Sequence, residues 1–174
     1  MSYAAAQLAV EVQLAAAFAQ VALVTVDGGA PSSLDTGRTV DGGAPSSAPG
    51  ANSLDGNAAL LVQYPNGPKI KPDGSPYAEV FHIPARTFVD TIGQHGQDVT
   101  PYITQVDFYF KLETGSNAAI AAADALRLSF TAGQWLSNDG QAVLVRSCGP
   151  GPARRDGSYY KAIVTIEWEA RVSR

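Results

Sequence analysis

The sequence predicts an α+β fold. It should form one mainly antiparallel β-sheet with two α-helices packed on one face, plus a Gly/Pro/Ser-rich insertion. Three observations carry this. Residues 102–130, YITQVDFYFKLETGSNAAIAAADALRLSF, read as a long strand, a short turn and an alanine-rich helix. Residues 158–172 read as a second long strand, and the first twenty or so residues as another alanine-rich helix. In the strand from Tyr102, the side chains of Tyr102, Thr104, Val106, Phe108, Phe110 and Leu112 alternate onto one face, the period of a half-buried strand.

Taken in order, Ser2 is a candidate N-cap and a helix is expected from Tyr3 to about Gln20. Leu8, Val12, Ala15 and Ala19, widened by Leu14 and Phe18, form its expected core-facing stripe. Residues 25–57 then change character. They are dense in Gly, Pro, Ser and Asp, and TVDGGAPSS occurs at 25–33 and again at 39–47. Two copies are too few for a solenoid. With Val26, Leu34, Val40 and Leu54 as its bulky apolar residues, the segment cannot bury enough surface to fold alone. The chain is therefore expected to be a single domain over 1–174, with a core of 1–24 and 58–174 and an inserted loop at 25–57. Strands are expected at 58–64 and 77–83, with a polar bend at 91–97 and a strand from Val99. Gly133 is placed as the C′ residue of the second helix. Ser137-Asn138-Asp139-Gly140 predicts a tight hairpin between strands at 135–136 and 143–148, because Asp-Gly supplies the positive φ values of a type I′ turn. Residues 149–157 are expected to be a loop.

In the last strand Tyr160, Ala162, Val164, Ile166, Trp168, Ala170 and Val172 share one face, while Ile163, Thr165, Glu167, Glu169 and Arg171 share the other. Ile103, Gln105, Asp107, Tyr109 and Lys111 occupy the corresponding second face of the earlier strand. A lone sheet usually shows water a more uniformly polar surface. This mixed face suits a partner chain over part of its area, or coverage by the insertion.

Composition narrows the function classes. Of the 174 residues 45% are apolar and only 16% charged, and the net charge is −4. Low charge fits either a surface buried in an assembly or one made of small neutral residues. Without clustered Lys and Arg, binding to nucleic acid phosphates is disfavoured. The single Cys148 excludes an internal disulfide framework and fits a reducing cytosol. The N-terminal apolar run lacks a basic flank and is interrupted by Gln7, Glu11 and Gln13, so it reads as neither signal peptide nor membrane span.

No catalytic constellation emerges. His82 sits mid-strand and His95 in a Gly/Gln loop, neither in metal-ligand spacing. Repeated Asp-Gly-Gly matches neither an EF-hand nor a Gly-rich calcium repeat. Ser147-Cys148 lacks a nucleophile elbow, and Cys148 reads as a small buried hydrophobe. Glu167 and Glu169 read as a solvated strand face more readily than as an acid/base pair. The expectation is a non-enzyme with no catalytic residue, cofactor or metal.

Several phrases resemble the tail-terminator family of long-tailed, siphophage-type bacteriophages, also called minor tail or tail-completion proteins. They are the N-terminal Ala/Leu helix, YAEVFHIPA, TQVDFYFKLETGSNAAIAAADALRLSF, W-x-x-x-D-G-x-x-V at 135–143, and Gly157-Ser158-Tyr159-Tyr160 leading to VTIEWEA. The likeness covers residues 1–22 and 58–172; the 25–57 insertion departs from the family's shorter connection. The resemblance implies a structural virion protein, a hexameric ring that caps the tail tube, ends its polymerisation and joins the tail to the head or neck. Implied partners are further copies of the chain, the tail-tube protein and head-completion proteins, with DNA traversing the lumen unbound. Implied location is the virion tail or neck after synthesis in the host bacterial cytoplasm. Ile103, Asp107, Tyr109, Glu167 and Glu169, on the second face, are expected at a subunit interface or the lumen. Two other readings fit the residues: a head–tail connector or stopper, and a cellular α+β domain binding a small molecule between sheet and helices.

Overall fold

The computed structural model describes residues 3–26, 60–65, 67, 69–70, 74–93, 95–112 and 116–173, so the insertion expected at 25–57 lies almost wholly outside the described residues. Two helices, α1 (Tyr3–Val26) and α2 (Ser116–Ser129), accompany eight strands. These are β1 (Leu61–Gln63), β2 (Tyr77–Pro84), β3 (Phe88–Val89), β4 (Gln97–Lys111), β5 (Trp135–Asn138), β6 (Gln141–Pro150), β7 (Arg154–Asp156) and β8 (Tyr159–Ser173). They form one sheet in the order β1-β2-β4-β8-β6-β5, with β3 added to β4 and β7 to β8. Every pairing is antiparallel except β1 with β2.

The centre of the sheet is the β4–β8 pair. Both strands are 15 residues long. They stay in register from Gln97↔Ser173 to Lys111↔Tyr159. The alternation read from the sequence decides the faces. Thr104, Val106, Phe108 and Phe110 turn with Ala162, Val164, Ile166, Trp168 and Ala170 to the side that carries both helices. Ala119, Ala122 and Leu126 of α2, with Phe130 just beyond its end, close that core. Phe18 of α1 meets Phe108 edge-on with centroids 6.0 Å apart. Tyr102 stacks on Trp168 at 4.3 Å. The indole Nε1–H of Trp168 donates to Thr104 Oγ1 at 2.8 Å, so this buried donor is satisfied.

Helix α1 departs from the expected stripe. Its core side is Ala6, Ala9, Val10, Leu14, Ala17, Phe18 and Val21. Leu8, Val12, Ala15 and Ala19, expected to face the core, are exposed. The helix is apolar on both sides, and periodicity alone cannot choose between two apolar stripes. It also continues to Val26 rather than ending near Gln20, because Val21 keeps packing against the core.

Glu11 has a role that its position off the expected stripe concealed. Its Oε1 lies 3.2 Å from Nε2 of His82, whose side chain is only 5% exposed. Nδ1 of His82 lies 2.9 Å from Thr104 Oγ1. A carboxylate only accepts, so in the neutral ring Nε2 bears the proton and Thr104 donates to Nδ1, while the approach of Glu11 to Nε2 falls outside hydrogen-bond geometry and is electrostatic. The chain Trp168–Thr104–His82–Glu11 thus ties the sheet core to α1.

Other differences are local. Asp139 and Gly140 take φ of 52° and 78°, as the predicted tight turn requires. Gly133 also has positive φ, but it belongs to a turn after α2 and donates its N–H to Val145 O rather than capping the helix. The segment 149–157 is not all loop. β6 runs to Pro150 with a bulge at Arg146, Gly151 N–H still donates to Ile163 O at 2.7 Å, and β7 continues along the same edge of β8. The bulge hides the strand period from the sequence.

Two outcomes test this architecture. Phe108→Ala, at a site with no exposure, should lower stability by about 3–5 kcal/mol. Phe81→Ala, on the other face and 42% exposed, should lower it by under about 1 kcal/mol; denaturant melts of both variants check this. Acidification provides the second. Burial pulls the His82 pKa below its ordinary 6.5, with Glu11 opposing. The unfolded chain therefore takes up this proton more readily, so the group's contribution is full above pH 6.5 and is lost as pH falls below it. The melting temperature should decline between pH 7.5 and 5.5, and less so in His82→Gln.

Candidate functional site: the helix-free face of the sheet

Among the described residues the second face of β4 and β8 carries no helix, and the five residues expected at an interface or lumen all lie on it. Register sets their neighbours. Ile103 stands between Ile83 and Glu167, Asp107 between Glu79 and Ile163, and Tyr109 between Tyr77 and Lys161. Glu169 lies between Pro101 and Leu144.

At one end the face is closed by contacts within the chain. Asp107, 2% exposed, pairs with Lys161 at 2.5 Å. It also accepts from the Gln105 side-chain amide at 2.8 Å. Tyr77 and Tyr109 stack with centroids 4.5 Å apart, and Tyr159 meets both edge-on. Lys161 Nζ lies 5.3 Å from the Tyr109 ring centre, a cation–π distance. Tyr109 donates its hydroxyl to Glu79 at 3.1 Å. Burial, followed by the nearby Glu79 carboxylate, pushes Tyr77 up to about 12 and raises Tyr109 as well.

At the other end Glu169 is held by two arginines. Arg146 reaches it at 2.6 Å and Arg171 at 3.1 Å. Arg171 also approaches Asp90 at 3.7 Å, linking the strand to the turn beyond β3. Between the two clusters the face is open. Glu167 is exposed and accepts from Ser147 Oγ at 2.9 Å. Phe81 and Ile83 are 42% and 50% exposed beside the half-buried Ile103. A shallow groove of about 430 Å³ runs here, lined by Pro65, Phe81, His82, Ile83, Gln105 and Asp107.

This arrangement offers stacked rings, satisfied ion pairs and open apolar side chains, which suit contact between proteins more than bond-making. Cys148 is half-buried on the helix side, and burial raises its thiol to about 11. Among the described residues no three His, Cys, Asp or Glu side chains cluster to hold a metal, and no helix is long and apolar enough to cross a membrane.

The family model described as phage tail terminator protein matches residues 51–168. The chain belongs to this family. The matched span contains QVDFY, AAIAAADAL and the first five residues of VTIEWEA, phrases that carry the sequence resemblance, and begins after α1. No curated protein matches the chain. One solved structure without a functional name shares 24% identity with it and superposes with a TM-score of 0.53, covering 64% of this chain and 79% of that one; this likeness is one of fold. Family membership assigns the chain a structural role in the tail of a bacteriophage.

The geometry divides the five candidate residues. Asp107, Tyr109 and Glu169 are already engaged within the chain, while Ile103 and Glu167 face the open strip. Sequence reasoning missed Lys161, Arg146 and Arg171 as their partners. The signal was present as alternating charge on the same strand faces, but pairing needs the register. Removing one member of a buried pair leaves the other charge unpaired. Asp107→Lys should therefore destabilise the chain by about 3–5 kcal/mol through repulsion of Lys161, whereas Asp107→Leu with Lys161→Met should fall within about 1–2 kcal/mol of wild type; paired thermal melts read the difference. Because the Cys148 thiol remains protonated, its alkylation at pH 8 should be at least about tenfold slower than that of a small free thiol, and unfolding should remove the difference.

Proposed function

We propose that this chain is a tail terminator that forms a ring, a hexamer, on the end of the tail tube. The ring stops tube polymerisation at its finished length and presents the joint to the head-completion and neck proteins. The observation that carries this reading is family membership over residues 51–168. The helix-free face supports it, since a structural ring must bury surface on each copy and this face combines exposed Phe81 and Ile83 with Glu167. Ile103, Asp107, Tyr109, Glu167 and Glu169 then belong to a subunit contact or the lumen wall. A net charge of −4 suits a channel through which DNA passes, because acidic walls repel phosphate. The chain is built as one domain whose core is 1–24 and 58–174, with 25–57 as an insertion. It is made in the host cytoplasm, takes no cofactor, and performs no catalysis.

Tails assembled without this protein should be over-long or unable to join heads in electron micrographs; tails of normal length that join heads would sink the reading. The isolated protein, alone or with tail-tube protein, should reach a mass near six copies of its 18.1 kDa chain by light scattering. Glu167→Lys provides a probe of the open strip, since Glu167 contacts only Ser147 among the hydrogen bonds and ion pairs described. It should leave melting unchanged and impair ring formation or genome passage. Unaltered assembly and infectivity in this variant count against the placement.

A further inference from the structure

Two apolar surfaces remain uncovered among the described residues. One is the arm built by β3, the start of β4 and the turn between them. Residues 83–93 are exposed without interruption, and they include Phe88 at 55%, Val89 at 59% and Ile92 at 97%. Phe88 and Val89 are consecutive strand residues and point to opposite faces, so no single layer of this chain covers both. The arm is nevertheless ordered by its own bonds. Asp90 N–H donates to Gln97 O at 2.9 Å, Ala85 N–H to Pro101 O at 2.9 Å, and the Thr87 and Thr100 hydroxyls meet at 2.8 Å. At its tip a Cβ on Gly96 would fall 2.3 Å from the Thr91 carbonyl oxygen, so only glycine closes the turn.

The other surface is the outward side of α1. Ala4, Leu8, Val12, Ala15, Ala16 and Ala19 are exposed along about 22 Å of helix. Leu8 is 47% and Val12 55% exposed. Glu11 is the one charged residue of α1, and it is engaged by His82. A surface helix ordinarily turns charges to water, and a helix apolar on both sides is covered on both.

Resting on the ring reading, we infer that the arm of one copy docks along the outward Leu8/Val12 side of α1 in the next copy. Symmetry favours this occupant. Arm-to-arm pairing would leave every α1 bare, and α1-to-α1 pairing would leave every arm bare. Each of those contacts is isologous and by itself ends at a dimer, so using both needs two independent interfaces where one heterologous contact suffices. Arm-to-α1 pairing is heterologous, engages one face of the arm and the α1 side in every copy through a single repeated contact, and is the type of contact a ring requires. The area suffices. Each surface offers roughly 300–400 Å² of apolar area, the size at which an exposed patch marks an interaction site. Joined, with the polar share of an ordinary interface, they reach roughly 1,050–1,400 Å², at the lower end of the standard range. The protruding Phe88 and Ile92 meet a helix side whose alanines allow close approach. The helix-free sheet face is then left for the lumen or for partners stacked along the tail axis.

The test uses two full-length variants at exposed positions, Ile92→Asp on the arm and Val12→Asp on α1. Each should melt like wild type, yet raise the concentration needed for rings by at least about tenfold. Mixed in equal amounts they retain one intact arm and one intact α1 side. They should form a 1:1 heterodimer that grows no further. Rings from Ile92→Asp alone, or self-pairing of the Val12→Asp variant with no heterodimer, overturn the inference while leaving the ring reading standing. So does an Ile92→Asp ring that has lost only its grip on tail-tube protein. A wild-type chain that stays monomeric even with tail-tube protein sinks both. Should either aspartate disturb folding, Ile92→Cys with Val12→Cys in a Cys148→Ser background replaces it. Mild oxidation should link successive copies into a ladder ending at ring size, and disulfides confined within one chain overturn the inference.

Discussion

The structure depends on the in-register pairing of β4 with β8. Two strands of 15 residues, joined from Gln97↔Ser173 to Lys111↔Tyr159, sort their side chains into two sets with opposite chemistry. Val106, Phe108, Val164, Ile166 and Trp168 go one way, and Asp107, Lys161, Glu167 and Glu169 go the other. A slip of one residue would carry the charged set of one strand into the core, so the register is strongly specified. Both helices, both edges of the sheet and the open strip take their places from this pair.

The polar contacts on the two faces do different work. On the helix side Trp168, Thr104 and His82 are hydrogen-bonded in series, and the close approach of Glu11 to His82 anchors α1 over the sheet. On the far side Asp107–Lys161 and Arg146–Glu169–Arg171 neutralise carboxylates at the two ends of the face. The unneutralised strip between them has Glu167 and exposed aromatic and aliphatic side chains. For a protein of a phage tail, whose work is contact with other chains, a satisfied frame around an unsatisfied strip gives a rigid surface ready for a partner.

Much of the sheet was legible because a strand buried on one side writes its period into the sequence. The alternation at Tyr102–Phe110 and Tyr160–Ala170 named the faces, and Asp139-Gly140 named the hairpin. The short strands β3 and β7 were not legible, since two or three residues carry no period, and the bulge at Arg146 broke the one that β6 and β8 share. α1 was recognised as a helix but its orientation was misassigned. Its two apolar stripes, Leu8/Val12 and Val10/Leu14, are equivalent to any count of spacing, and only the packing of Phe18 and Glu11 distinguishes them.

The same limit applies to the candidate site. The sequence by itself determined the fold class, the two-sided character of the long strands and the likeness to tail terminators, because these rest on local alternation and local phrases. The tertiary structure alone decided which carboxylates are committed and which apolar surface is left over. Asp107 and Glu169 looked as free as Glu167 until the register set Lys161, Arg146 and Arg171 beside them. Leu8 and Val12 looked like core until the sheet took the other side of their helix. Both outcomes depend on contacts between residues far apart in the chain, whose distances are fixed only when the strands pair and the helix chooses a side.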